Sequence, residues 1–312
     1  MIASLPKRQW IWSYAAALGV WLVTLVVSRG QGGADILVAA LSFSAFTVLV
    51  SLGQMLVITT GPGNVDLSIP ATIALSSAVS MLVMDEQAAM ILPGLAAAVL
   101  TGVAVGCANF ALILLLRIPP IIATMSSGLI VQSVAITFGR GLKIKPPPPF
   151  FDFVTARVLG VPLLAMLALV VAVAIALMLE RTVYGRSVNA VGQNRRAAHF
   201  AGVAVQRTRF LTYVISAALA GLTGALIAGF AGGNSLDQGE EYLLLTIAVT
   251  VIGGTAVAGG RASVPGVWGA ALFMFLLVAM LNAAGAGPGL RLLLTGVIII
   301  AVITLAGGDR GR

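Results

Sequence analysis

The hydrophobic residues of this chain come in long runs and do not alternate with polar ones. A helix needs roughly 20 apolar residues to cross a bilayer, and ten segments approach that length. They lie at approximately 10–27, 36–60, 67–84, 88–116, 119–138, 161–179, 210–231, 243–258, 263–283 and 288–306. The ten-residue alternation of a membrane β-barrel strand is not the pattern here. Backbone groups in lipid must be paired internally, and unbroken apolar runs achieve that only as helices. The pattern therefore predicts an all-α, polytopic membrane bundle of about ten helices, a single transmembrane domain over residues 1–312. The first run follows Lys7 and Arg8 and has the look of a secretory leader. Its length and its lack of a small-residue cleavage site make it the first span instead.

Against this background the polar intervals carry the information. The longest is 181–209, RTVYGRSVNAVGQNRRAAHFAGVAVQRTR, which holds Arg181, Arg186, Arg195, Arg196, Arg207 and Arg209. Only 9% of the chain is charged, and its mean hydropathy is +1.07. Basic residues gather on the cytoplasmic side of membrane proteins. With the N-terminus inside, twelve of the eighteen basic residues fall inside and six outside, while three acidic residues fall inside and seven outside. This places both termini and the 181–209 loop in the cytoplasm. The net charge of +8 is thus a topological excess and calls for no nucleic-acid partner.

The other intervals are short. Pro146 to Pro149 lie in a row and predict a stiff, extended external connector. Gly102 and Gly106 form a GxxxG pair, and Gly221, Gly224 and Gly229 line the seventh segment; such residues let helix backbones approach in lipid. Cys107 stands alone in an apolar run and is expected to be a buried, inert residue. His199 is the only histidine, so no histidine-based metal or acid–base cluster can form.

Two interruptions fall at or near membrane depth. GPGNVDLSIP (61–70) breaks the chain with Gly61, Pro62 and Gly63 and then presents Asn64, Asp66 and Ser68. An ionisable residue there is a functional candidate. Asp66 also suits a helix cap, accepting from amides two or three residues on, and the two roles are compatible. The second interruption, IGGTAVAGGRASVPG (252–266), uses Gly253, Gly254, Gly259 and Gly260 as sharp turns. No GxxxxGK[ST] phosphate loop occurs, so nucleotide binding by this chain is excluded. The near absence of ionisable groups inside the spans argues against an ion-coupled transporter, which needs them as relays. The lack of a His/Cys/carboxylate cluster argues against a membrane enzyme.

Four stretches carry a resemblance: VDLS (65–68), PPIIAT (119–124), YGR…AVGQN…AA…AGV (184–203) and VIGGTAVAGGRASVPGVWGA (251–270). From about residue 50 to 305 the chain resembles the permease subunits of bacterial ATP-binding-cassette importers. It is most similar to the ribose/xylose/galactoside branch of the family that also holds branched-chain amino acid permeases. Where that branch usually reads GGIDLS, this chain reads GPGNVDLS. The resemblance implies a vitamin-B12-permease-like topology in the bacterial inner membrane and import of a monosaccharide, a pentose or related sugar, by alternating access. It implies a second permease subunit, a periplasmic sugar-binding protein and cytoplasmic ATPase subunits that bind ATP and Mg, with no cofactor or metal held by this chain. On this reading 181–209 is the ATPase-coupling loop. Tyr184 and Arg186 lie in it, Gly185, Gly192 and Gly202 set its turns, and Asn194, Ala197 and Ala198 form a short helix that seats in the ATPase. Its remaining arginines enforce topology and grip anionic lipid. Asn64, Asp66, Ser68 and Thr124 are the candidate substrate path.

Overall fold

The structure, a computed structural model, describes residues 10–30 and 32–307. Lys7, Arg8, Asp309, Arg310 and Arg312, which entered the charge count, lie outside the described residues. The helices are α1 (Trp10–Val27), α2 (Gly33–Thr59), α3 (Ile69–Met84), α4 (Ile91–Leu115), α5 (Pro120–Gly139), α6 (Pro148–Thr155), α7 (Leu163–Arg181), α8 (Val183–Gln193), α9 (Arg195–Phe200), α10 (Val205–Ala231), α11 (Tyr242–Ile252), α12 (Val264–Ala283) and α13 (Pro288–Gly307). A two-residue hairpin, β1 (Arg157–Val158) with β2 (Val161–Pro162), precedes α7. The fold is an all-α membrane bundle. Each of the ten apolar segments holds a helix, but the eighth, expected over 243–258, is helical only to Ile252 and turns after it. Seven helices among the described residues are long and apolar enough to cross a membrane: α1, α2, α4, α5, α7, α10 and α12.

At the centre stand α2 and α10, each 27 residues long. At the α-helical rise that is about 40 Å, more than the hydrocarbon core requires. From Ser44 to Thr59 every residue of α2 is buried, as expected of a helix that is apolar all round. By contrast α1, α5 and α7 keep apolar outer faces, including Leu22, Leu129 and Val170, for lipid. At one close crossing α4 meets α10. A Cβ built on Gly102 would strike the carbonyl of Ala217, and one on Gly106 would lie 2.8 Å from the carbonyl oxygen of Tyr213. Gly221 answers from α10 against the backbone of Ala98, and Gly224 abuts Ile73. These glycines set how near the backbones can lie. Gly102→Leu is expected to lower the detergent melting temperature and the amount of chain accumulated in membranes, because overpacking of this kind costs about 1–3 kcal/mol. An unchanged melting curve would refute the assigned crossing.

Several expectations are corrected. The interval 181–209 is largely helical. The Thr182 hydroxyl accepts from the Gly185 amide at 3.1 Å and starts α8, while Asn194 Oδ1 accepts from the amides of Arg196 and Ala197, both at 3.0 Å, and starts α9. Each such cap contributes about 1 kcal/mol. Gly185 and Gly192 therefore sit inside a helix and set no turn, whereas Gly202, at φ +81°, does make one. The seventh segment begins at Val205, five residues early, and takes Arg207 and Arg209 into α10. The proline run is extended only to Pro147. Pro148 and Pro149 open α6, where a missing amide proton and a fixed φ suit the first turn. Gly253 ends α11 in a right-handed conformation, while Gly254, Gly259 and Gly260 have positive φ and make the turns. Cys107 is half-buried on α4, since only the opposite face of that helix meets α10.

The shortest apolar helices are α3, of 16 residues, and α11, of 11. At about 1.5 Å per residue α11 covers only about half the membrane. The chain before it supplies the rest. Residues 232–241 run down beside α3: the Ser77 hydroxyl lies 2.8 Å from Asn234 Oδ1 and 2.9 Å from Gln238 Oε1. Gln132 Nε2 donates to the Leu236 carbonyl at 3.2 Å, and Gly239 rests against the backbone of Pro70, near the start of α3. Irregular backbone at this depth is tolerated where protein or a wet cavity surrounds it. Asp237, Glu240 and Glu241, three of the seven acidic residues that the charge count puts outside, ride on this returning segment and are exposed.

Candidate functional site

The α2–α3 loop collects buried polar groups at one end of the bundle. Gly61 and Gly63, with φ of +125° and +75°, let the chain double back after α2. Asp66 is 2% exposed, and its Oδ1 accepts from the Ser68 amide at 3.0 Å and from the Ser68 hydroxyl at 2.6 Å. The Asp66 amide donates to Gln54 Oε1 on α2 at 3.3 Å. Asn109 Nδ2, on α4, donates to Ser68 Oγ at 2.7 Å, and the Ser127 hydroxyl on α5 donates in turn to Asn109 Oδ1. Thr124 Oγ1 accepts from the Leu67 amide at 3.0 Å. Asn64 Oδ1 accepts from Arg209 Nη2 at 2.9 Å. One loop is thus tied to α2, α4, α5 and α10. The structure brings Asn64, Asp66, Ser68 and Thr124 together, and all four are buried against protein. Buried polar groups usually find partners, yet Asp66 Oδ2 and Gln54 Nε2 make no hydrogen bond here.

Sequence reasoning did not single out Gln54, Asn109, Ser127, Tyr213 or Arg209 in this cluster. Gln54 and Asn109 carried a signal, an amide inside an apolar run. Arg209 carried a misleading one, because it reads as the last charge of a polar interval.

The glycine motifs converge beside this loop. Gly260 donates its amide to the Thr59 carbonyl at 2.9 Å, joining the 253–263 turn to the end of α2. A Cβ on Gly192 of α8 would strike both atoms of that hydrogen bond. Gly259 would bring a Cβ to 2.5 Å from Gly61 Cα and 3.0 Å from the Gly192 carbonyl oxygen. Gln193 Nε2 reaches the Gly260 carbonyl at 3.4 Å. Three backbones meet with no side chain between them.

From this junction α8 and α9 lead outward. Gly185 packs on the backbone of Leu179, and Ala198 is buried with Val191 and Val205, so both helices are seated on the bundle. Tyr184 is half-buried, and its burial pushes the phenol pKa up to about 12, so it stays neutral. Arg181, Arg186, Arg195, Arg196, Arg207, Asn194 and Ala197 are exposed. Phe200 is 88% exposed at the tip of α9. Arg195, Arg196, His199 and Arg207 line an open hollow of about 830 Å³ between α9 and α10. An aromatic side chain rimmed by arginines has the composition of an interface anchor. Among the described residues no three His, Cys, Asp or Glu side chains come together to hold a metal ion.

An apolar helical bundle of this kind is the architecture of a multi-pass membrane protein. The chain belongs to the family described as branched-chain amino acid transport system / permease component, whose model matches residues 36–303. It is 27% identical over 300 residues to the autoinducer 2 import system permease protein LsrD of Photorhabdus laumondii, covering 94% of this chain and 90% of that one. It is 30% identical to the probable ABC transporter permease protein y4mJ of Sinorhizobium fredii, covering 85% of this chain and 79% of that one. The fructose import permease protein FruF of Bifidobacterium longum is 29% identical, over 77% of this chain and 68% of its own length. No solved structure matches the chain.

Proposed function

We propose that this chain is the permease subunit of an importer for a monosaccharide or a related small cyclic polyol, in the bacterial inner membrane with both termini cytoplasmic. The observation that carries the reading is the continuous backbone route from the exposed α8–α9 surface, through the Gly192–Gly260–Gly61 junction, to the buried α2–α3 loop. ATP and Mg are bound by separate cytoplasmic ATPase subunits, which seat on α8 and α9. There Thr182 and Asn194 cap the helices, Gly185, Gly192 and Ala198 fit them to the bundle, Tyr184 braces α8 from inside, and Arg186 and Ala197 face the partner. Gly202 turns the chain into α10. A second permease subunit, identical or sister, completes the path, and a periplasmic binding protein delivers the solute. Asn64, Asp66, Ser68 and Thr124 form the floor of the path, closed in this conformation, and it must shift for solute to pass. Anionic lipid takes the arginines that the ATPase leaves free.

The name of the LsrD relative, which covers nearly the whole chain, favours autoinducer 2 as the second solute to test beside pentoses. The test is a thermal-shift screen of the cognate binding protein against ribose, xylose, galactose, fructose, autoinducer 2 and leucine. A true ligand at about 100 times its Kd stabilises by about 2.7 kcal/mol. One sugar or autoinducer 2 is expected to raise the melting temperature. A response to leucine alone overturns the sugar reading.

A further inference from the structure

Arg209 is the arginine of 181–209 that the fold takes inside, and it is only 6% exposed. Among the described residues no carboxylate forms an ion pair with it. Its Nη2 donates to the neutral amide oxygen of Asn64 at 2.9 Å, an atom the Tyr213 hydroxyl also approaches at 3.4 Å. Its guanidinium carbon lies 5.9 Å from the centre of the Phe110 ring. Taking a guanidinium out of water is expensive, and a carboxylate would hold it far more firmly than an amide and a ring face. The arrangement is therefore firm enough to order the contact and weak enough to break.

Its position gives the contact a use. Arg209 is the fifth residue of α10, and four residues, Ala201 to Ala204, separate that helix from α9. Asn64 belongs to the loop that hydrogen bonds tie to α2, α4 and α5. Resting on the coupling reading above, we infer that Arg209 and Asn64 form a releasable latch. Closed, it clamps the α2–α3 loop to the start of α10. When the partner ATPase displaces α9, the first turns of α10 move, the latch opens and the loop is freed. A two-state contact of this kind turns a small shift at one surface into a discrete rearrangement at another. Arg209 is on this account a positioning residue that touches no solute. The neutral acceptor is the essential detail, since a carboxylate at residue 64 would make the closed state too favourable to leave.

The test uses the full complex of permease and ATPase subunits in lipid nanodiscs, with Cys107→Ser as background and spin labels on Pro62→Cys and Gln206→Cys, both exposed positions. The distance between labels is measured without nucleotide and after trapping with ATP, Mg and vanadate, so no sugar is needed. Wild type is expected to shift on trapping by about 5 Å, the scale of one helical turn. Asn64→Asp is expected to stay at the nucleotide-free distance under trapping. Arg209→Gln is expected to show the trapped distance without nucleotide, and Arg209→Lys to behave as wild type. Should Arg209→Gln fail to assemble, Asn64→Asp still decides, with Asn64→Ser as its control: both lose the Nδ2 donor to the Gly61 carbonyl (3.0 Å), but only Asp adds a charge pair, so Asn64→Ser is expected to follow Arg209→Gln. A wild-type shift that survives intact in Asn64→Asp overturns the latch and leaves the coupling reading standing. A wild-type distance that ignores trapping overturns both.

Discussion

Uptake of the solute falls at least about 100-fold in Gly192→Val, equivalent to about 2.7 kcal/mol on the transport barrier, while the chain still inserts in the membrane. The reason is the hydrogen bond from the Gly260 amide to the Thr59 carbonyl. A Cβ at residue 192 would occupy the space of both its atoms and would lie 2.9 Å from Gly260 Cα. Every obstacle is backbone, so no rotamer change relieves the clash. Either α8 lifts from the end of α2 or the 253–263 turn moves away. Both separate the exposed α8–α9 surface from the loop that holds Asn64 and Asp66. Overpacking costs about 1–3 kcal/mol when side chains can adjust, and more is expected where backbones must part. The spans themselves are untouched, which is why insertion survives. Gly192→Ala adds the same Cβ and is expected to lose uptake as well, less completely than Gly192→Val, which adds two further methyl groups. The measurement pairs uptake of radiolabelled solute with quantification of the inserted chain. Wild-type uptake in a fully inserted Gly192→Val would remove the junction from the transport route.

Gly192 also shows where the sequence stops being legible. Its environment is made by Thr59, Gly61, Gly259 and Gly260, which no local pattern links to it. A glycine needed for close approach looks in sequence like a glycine needed for a turn, and the turns expected at Gly185 and Gly192 have that origin. The ten apolar segments were readable because lipid leaves their backbone no other state. The helices α8 and α9 were obscured because they are polar and short, although Thr182 and Asn194 stand where caps belong and carried the signal. Arg209 was grouped with its neighbours because charge marks a polar interval in sequence. In the structure α10 starts at Val205, and its register turns residue 209 inward beside Tyr213. The proximity of Asn64, Asp66, Ser68 and Thr124 was half legible. Three of the four share one motif, and the fourth comes from α5, 56 positions after Ser68. The partners on α2 and α4 follow from packing that only the fold reveals.

Deletion of Asn194–Ala198 is expected to abolish uptake by a different failure, loss of the ATPase from the complex. The deletion removes the cap of α9, two of its arginines and Ala198, whose burial with Val191 and Val205 holds α9 to the bundle. Phe200 would then no longer be presented at the end of a seated helix. The apolar helices on either side, α7 and α10, keep their lengths, so the chain remains in the membrane. Co-purification with the partner ATPase separates this outcome from that of Gly192→Val, in which α8 and α9 keep their own residues and the partner stays bound. A milder variant grades the effect. Asn194→Ala removes the acceptor for the amides of Arg196 and Ala197 and costs about 0.5–2 kcal/mol of helix stability. A helix of six residues has little cooperativity with which to absorb that loss. Frayed α9 binds its partner only after re-forming, so the apparent affinity drops with the folded fraction. Asn194→Asp keeps an acceptor in place and adds a charge favourable to a helix start, so it should retain the partner. Equal co-purification of the ATPase with the deletion and with the wild-type chain would show that α9 is not the docking element, whatever its arginines suggest.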